Sequence, residues 1–490
     1  MSLKEKTISA VKWNLLSTIV INFMGIFSLW ILSHLLSTVD YGVMSSALII
    51  TTFVMLLLDF GISNSVVRSK AVTITELSTL YTVNIMLGIL AFIMTFWSSG
   101  FISSLFNGGI QLTFQIKIIS FGFLFLSFGL QPKALLTRDM LFSAISKITI
   151  ITNLSNYIIV LGLCYFYRSS WCIAVGFVSS MLISSMLSIF YAKKYEVHLF
   201  SFSMKFNSIK SHFKYGVQLV MDSIVNQISI NTYPVLMSRL VNISAIGGYN
   251  LAYSISIALF EKLNPVLSHT LFPAFSQISS DDVKLRNVFL KVTTFSALIN
   301  FPILFGMFIV SDDIVLNFFD SKWLFIIPMI KVLSITGAIR SLDTPVISIL
   351  LVKAKMYLNV RLGLFKLFLG IPFSYVLGIK YGILGICFSF LIIQSFNTIL
   401  GYYFLLNRAL EVPLRNYLSS ILTPLFNVIP MMVIGLFLKC NLFFINGTLR
   451  LVIVIITSVI IYLATMFLSQ NHTVIEFRKI ITSNLSKILK

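Results

Sequence analysis

Apolar stretches of about 20 residues recur along the chain, each bounded by a few charged or turn-forming positions. About 20 predominantly apolar residues are what a spanning helix requires. About fourteen such stretches can be counted, centred near residues 23, 54, 89, 123, 155, 181, 225, 259, 299, 337, 367, 395, 427 and 458. The connections between them are short, and none is long enough to be a folded domain. The expected fold class is therefore an all-α polytopic membrane protein with about 14 transmembrane helices.

The spans also repeat. "LSHLLSTVDYGVMSSALIITTFVMLLLD", ending at Asp59, aligns without a gap at an offset of 205 with "MSRLVNISAIGGYNLAYSISIALFEKLN", ending at Asn264. Ser33 then matches Ser238, Leu35 matches Leu240 and Gly42 matches Gly247. A weaker pair is "ALLTRDMLFSAI" (Ala134–Ile145) with "ILLVKAKMYLNV" (Ile349–Val360), each after the fourth span of its half. The expected organisation is two pseudo-symmetric six-helix lobes of the same orientation, residues 1–200 and 201–410, followed by two further helices and a tail over 411–490. Parallel repeats of this kind place the substrate site between the halves in many transporters.

Composition agrees with that class. Hydrophobic residues make up 57% of the 490 and charged residues only 11%; a soluble domain carries about a quarter charged. Mean hydropathy is +0.96. The net charge of +20 is not a nucleic-acid footprint, because Lys and Arg stand singly between apolar runs. It follows topology instead. With both termini in the cytoplasm, inner loops hold 25 Lys and Arg, from Lys4 to Lys490. The alternate loops hold 6: Arg168, Arg239, Lys322, Lys380, Lys439 and Arg450. That asymmetry is the positive-inside pattern. One outer loop, "SDDIVLNFFDSKW", reads as acidic. The N-terminal "MSLKEKTISAVKWNLL" runs into an apolar stretch longer than a signal-peptide core, so it is expected to be kept as the first span. Cys164, Cys172, Cys387 and Cys440 form no CxxC and read as free thiols, though Cys164 and Cys172 flank one short turn.

Soluble-enzyme chemistry is missing from the motif pattern. No phosphate loop, HExxH, GxSxG or Cys/His metal spacing occurs, so no cofactor and no metal is expected. A membrane glycosyltransferase or polymerase would carry a sizeable loop outside the bilayer, which these connections do not provide. A transporter, a channel or a non-transporting scaffold remains.

Polar groups inside spans are costly and usually face a bundle interior or a water-filled cavity. In "YGVQLVMDSIVNQISINTYP", Tyr215, Gln218, Asp222, Asn226, Ser229 and Tyr233 fall within an arc of about 80° at 100° per residue. Asp222 lies about 15 Å into the bilayer. This arc is the expected wall of a substrate cavity, while Gln227 and Asn231, on the opposite side, read as packing contacts. Glu261 in the eighth span and Arg340 in the tenth join the cavity set, with Asp222 and Glu261 as candidates for ion coupling. Arg340 offers a fork that matches diphosphate oxygens; its structural alternatives are snorkelling or an i,i+3 pair with Asp343. Lys117 and Lys366 read as snorkelling cations, and Asp59 as a structural partner of Arg68.

Several segments resemble bacterial polysaccharide flippases of the Wzx type. "SDDIVLNFFDSKWLFIIPMIKVLSITGAIRSL" resembles the segment around that family's ninth and tenth spans, where a "kW" pair leads into a "p-x-x-x-x-L-s-x-x-G" helix. "LQPKALLTRDMLFSAISK" is similar to its "P-x-A-L-L-x-R-x-x-x-F" loop through Pro132, Ala134, Leu135, Leu136, Arg138 and Phe142. "LLSTVDYGVMSSAL" and "KYGILGICFSFLI" resemble its first outer loop and the start of its twelfth span. The resemblance covers roughly residues 5 to 410. It implies the multidrug/oligosaccharidyl-lipid/polysaccharide exporter superfamily, with two six-helix lobes around a central cavity. The implied activity is alternating-access transfer of undecaprenyl-diphosphate-linked oligosaccharide across a bacterial cytoplasmic membrane, for surface polysaccharide such as O-antigen, capsule or exopolysaccharide. It implies no enzymatic step, with ion-gradient return. The implied partners are membrane lipids, a polysaccharide polymerase and a chain-length regulator. The rivals are a cation-coupled multidrug exporter of the same superfamily and a scaffold of a glycan-synthesis complex.

Overall fold

The hydrocarbon environment leaves no water to satisfy backbone groups, so the chain folds into helices whose hydrogen bonds close within each segment. The computed structural model describes residues 3–59, 61–68, 73–197, 202–203, 205, 210–258, 275, 278–353, 355–442 and 444–478. Among these, all regular structure is helical. The helices are α1 (Leu3–Leu35), α2 (Thr38–Asp59), α3 (Ile62–Arg68), α4 (Ile74–Leu105), α5 (Gly109–Arg138), α6 (Phe142–Tyr167), α7 (Trp171–Lys194), α8 (Lys210–Leu240) and α9 (Ile243–Ser256). They continue with α10 (Asp282–Phe318), α11 (Ile327–Arg340), α12 (Asp343–Val352), α13 (Met356–Gly401), α14 (Leu414–Asn441) and α15 (Gly447–Leu468). Ten helical segments among the described residues are long and apolar enough to cross a membrane, and the chain is a multi-pass membrane protein. One of the ten, Met356–Leu410, contains two spans, because α13 reverses at Gly382, whose φ of +59° favours glycine. Ser374 and Ser389 then face each other across the two arms at 2.8 Å. With α1 and α8, these helices stand at thirteen of the fourteen expected spans; the eighth, centred near residue 259, is described only through α9, and its centre lies outside the described residues.

The repeat is visible in helix boundaries. Helix α1 ends at Leu35 and α2 begins at Thr38; at an offset of 205, α8 ends at Leu240 and α9 begins at Ile243. Ser33 Oγ donates to the Trp30 carbonyl and Ser238 Oγ to the Val235 carbonyl, the same bond three residues back in each copy. The weaker repeat pair likewise falls on a break between helices, α5–α6 and α12–α13.

The chain forms two compact units, Met1–Gly247 and Gly248–Lys490. In the first, α5 packs between α4 and α7, and α6 joins α7 to α1. Helix α2 meets the first turn of α9 at paired glycines. A Cβ on Gly42 would lie 2.1 Å from the Ile243 carbonyl oxygen, and one on Gly247 would lie 2.8 Å from the Gly42 nitrogen. Only glycine permits so close a backbone approach. Asn107 and Arg239 add tertiary bonds, to the Ser238 and Leu105 carbonyls at 3.1 and 2.8 Å.

In the second unit α10 packs against α11, α14 and α15. Pro302 lies inside α10 and cannot donate to the carbonyl four residues earlier, that of Leu298. Tyr462 of α15 supplies the missing donor, its hydroxyl bonding the Leu298 oxygen at 2.6 Å. Far along α10, Asp312 pairs with Lys331 of α11 at 3.0 Å and with Lys439 of α14, and Asp313 pairs with Arg450 of α15. The expectation of an acidic loop at "SDDIVLNFFDSKW" is thus corrected. Ser311–Phe318 continues α10, because its aspartates face cations on three helices while Val315 is buried in the core. Two cations of the sparsely charged side, Lys439 and Arg450, find their partners there, and Lys322 pairs with Asp320 at 3.1 Å.

Candidate functional site

The tenth span is discontinuous. Helix α11 stops at Arg340 and α12 starts at Asp343, with Ser341 and Leu342 forming a buried turn. Pro345 explains the break, since it cannot donate to the Ser341 carbonyl four residues back. Arg340 lies in the last turn of α11 and Asp343 in the first turn of α12, so each charge suits the dipole of its half-helix. Such interruptions persist at membrane depth only where protein or a cavity surrounds them, and discontinuous helices form ion and substrate sites in many transporters.

Around this break the second unit gathers polar side chains from four helices, one of them through both of its arms. Arg340 Nη1 donates to the Tyr253 hydroxyl of α9 at 3.3 Å. Asp343 accepts from Gln394 Nε2, on the second arm of α13, at 2.9 Å. Gln394 Oε1 in turn accepts from Lys366 Nζ, on the first arm, at 3.2 Å. The amide therefore stands between a carboxylate and an ammonium, its oxygen toward the cation and its N–H toward the anion. Gln394 is 1% exposed, so the bridging amide itself is held away from solvent.

Beside it, the two arms of α13 enclose an apolar groove of about 500 Å³. Lys366, Phe365, Pro372, Phe373, Phe396 and Asn397 are among its lining residues. Pro372 removes one helical hydrogen bond of the first arm at this level. A second groove, about 370 Å³, lies between α10, α14 and α15 and includes Gly306, Met431 and Tyr462.

The candidates named from the sequence are divided between the units. The α8 stripe belongs to the first unit and Arg340 to the second. Asn226 is exposed, whereas Ser229 and Tyr233 are buried, with Ser229 Oγ bonded to the Val225 carbonyl at 2.8 Å. The backbone of Tyr215, Gln218 and Asp222 is helical, but their side chains lie outside the described residues, as does Glu261 altogether. Asn231 Nδ2 bonds the Gln227 carbonyl at 2.9 Å, one turn back along the same helix. Asp59 accepts from Ser63, while the Arg68 side chain lies outside the described residues. Lys117 stands over the Phe96 ring at 5.4 Å.

Sequence reasoning missed Lys366, Gln394 and Asp343 as a group. Lys366 does not snorkel: its ammonium turns to an amide 28 residues away, because the reversal at Gly382 brings Gln394 alongside. Only the spacing of a Lys and a Gln about equally far from "YG" hinted at that contact. Cys164, Cys172, Cys387 and Cys440 are all free thiols. Among the described residues, no group of three His, Cys, Asp or Glu side chains is placed to hold a metal.

The family model for "Polysaccharide biosynthesis protein" matches residues 31–328. An "Uncharacterized membrane protein in cps region" of Klebsiella pneumoniae is 33% identical over 488 residues, covering 99% of this chain and 100% of the relative. The "Lipopolysaccharide biosynthesis protein WzxC" of Escherichia coli K12 is 32% identical over 435 residues, 89% of this chain and 88% of the relative. Among solved structures, the lipid II flippase MurJ in an inward closed conformation superposes with a TM-score of 0.75. It covers 97% of this chain and 100% of its own, at 16% identity.

Proposed function

The chain belongs to the polysaccharide biosynthesis protein family, and from that premise we propose that it is a flippase for undecaprenyl-diphosphate-linked oligosaccharide repeat units. It moves them across the bacterial cytoplasmic membrane by alternating access, for assembly of surface polysaccharide. The observation that carries this reading is the match, over nearly nine-tenths of the chain, to a relative named for lipopolysaccharide biosynthesis. A fold shared with a lipid II flippase along 97% of the chain supports it.

The physical task fits a helical membrane protein with polar groups at depth. A polyprenyl chain can stay in hydrocarbon throughout, whereas the diphosphate and sugars cannot cross it unshielded. A protein that offers fixed polar partners lowers that barrier without making or breaking a covalent bond, so the activity needs no enzymatic step. The charge asymmetry between alternate loops supports a topology with both termini in the cytoplasm. A polysaccharide polymerase and a chain-length regulator are the partners that would take over the delivered repeat units.

Complementation provides the test. A strain lacking its own flippase, with the matching glycan genes intact, should regain surface polymer when this chain is expressed. Lipid-linked units should stop accumulating on the inner face. A strain that stays bare while the protein is present in its membrane would overturn the reading. Altered drug susceptibility without any glycan change would favour a multidrug exporter instead.

A further inference from the structure

Lys366 belongs to two environments at once. Its side chain lines the apolar groove between the arms of α13, while its ammonium uses one of three donors on Gln394. Through that amide it faces Asp343, which accepts from the other end of Gln394. Carboxylate and ammonium are thus linked without direct contact, and the four-carbon lysine stem can swing the charge elsewhere. Resting on the flippase reading, we propose that Lys366 is a mobile cation exchanged between Asp343 and the lipid-linked diphosphate of the substrate, whose polyprenyl chain occupies the α13 groove.

Three observations converge on this. The groove's volume of about 500 Å³ lies within the about 300–1,000 Å³ typical of small-molecule sites, and its lining is apolar apart from Lys366 and Asn397. Lys366 lies about one and a half turns beyond the exposed Arg361, roughly 8 Å along the same helix, so two cations follow one another along the first arm toward the groove. A flexible primary ammonium is also the right partner for a diphosphate, which it meets as a point charge.

The exchange has a proton consequence. Among the described elements packed against Asp343, the charged and titratable groups facing it are Arg340, Lys366 and Tyr417. When Lys366 leaves for the diphosphate, Asp343 loses its mobile counter-charge in a low-dielectric setting, and a proton from water converts the carboxylate to the neutral acid. On release of the substrate the proton departs and the ammonium returns to Gln394. Loading with substrate is thereby coupled to uptake of a proton at Asp343. By linkage, binding tightens as pH falls.

The test is equilibrium binding of radiolabelled undecaprenyl diphosphate to the purified full chain, from pH 6 to pH 8. Wild type should bind more tightly at lower pH, by up to about ten-fold per pH unit for a single linked proton. Lys366→Gln should weaken binding about ten- to a hundred-fold, the worth of a charge-assisted bond, and Lys366→Arg should keep most of it. Asp343→Asn should bind at least as tightly as wild type and lose the pH dependence. The proposal fails if Lys366→Gln binds like wild type, or if Asp343→Asn keeps the slope. It fails equally if phosphatidylglycerol competes as well as undecaprenyl diphosphate, or if inorganic diphosphate binds as tightly without a chain. Binding is read independently of transport, so a failed complementation would remove the flippase reading and leave this result standing.

Discussion

Removing the Asp313 carboxylate should cost the second unit more stability than any other single side-chain truncation at that end of α10. Asp313 is 0% exposed and its partner Arg450 only 14%. Arg450 Nε donates to Asp313 Oδ1 at 2.9 Å, and Nη2 bonds the same oxygen. The pair joins α10 to the first turn of α15 across 137 residues. Breaking a buried pair by deleting one partner leaves an uncompensated charge and costs about 3–5 kcal/mol. Arg450 sits near a helix end and can turn partly toward the interface, which favours the lower part of that range, about 3 kcal/mol. Arg450→Met should cost a similar amount, because it strands the carboxylate. The double variant Asp313→Ala/Arg450→Met strands neither charge and should lose no more than either single change. Reversible unfolding in mixed detergent micelles, arranged as a double-mutant cycle, gives the coupling directly, expected at about 2 kcal/mol or more. Additive losses, or an Asp313→Ala cost below about 1 kcal/mol, would refute the view that this pair holds α15 to α10.

Other consequences follow from single contacts. Tyr462→Phe leaves the Leu298 carbonyl, already deprived of a donor by Pro302, without its hydroxyl partner; the same unfolding assay should show a loss of about 1–2 kcal/mol. Gly42→Val forces a side chain into the Ile243 carbonyl and should cut the yield of folded protein on size-exclusion chromatography, whereas substitution at Gly100, where a Cβ meets nothing within 4 Å, should be tolerated. If the α8 stripe lines an aqueous cavity, single cysteines at Gln218, Asp222 and Asn226 should react with a membrane-impermeant maleimide faster than cysteines at Gln227 and Asn231. Equal rates on the two faces would remove that stripe from the pathway.

Hydropathy carried most of the fold, because a bilayer imposes one length and one backbone solution on every span. The offset of 205 even located helix ends, at Leu35 with Leu240 and Thr38 with Ile243. Contacts between distant spans were not legible in the same way. Nothing near Asp343 in the sequence points to Gln394, 51 residues on, and Lys366 alone reads as a cation seeking the interface. Its actual direction depends on the reversal at Gly382 and on the α11–α12 break, both of which are tertiary facts. The "DD" of α10 was misassigned for a related reason. Two adjacent acids suggest a loop, but here each is neutralised by cations from other helices and the helix runs on through them.

The most direct test of the central claim is translocation by the purified chain in vesicles. Undecaprenyl-diphosphate oligosaccharide carrying a fluorescent sugar label is incorporated symmetrically, and an impermeant reductant is added outside. Flippase activity predicts that label from the inner leaflet also becomes reducible in vesicles containing the protein. Reduction that stops at the outer-leaflet share, as in protein-free vesicles, would contradict it.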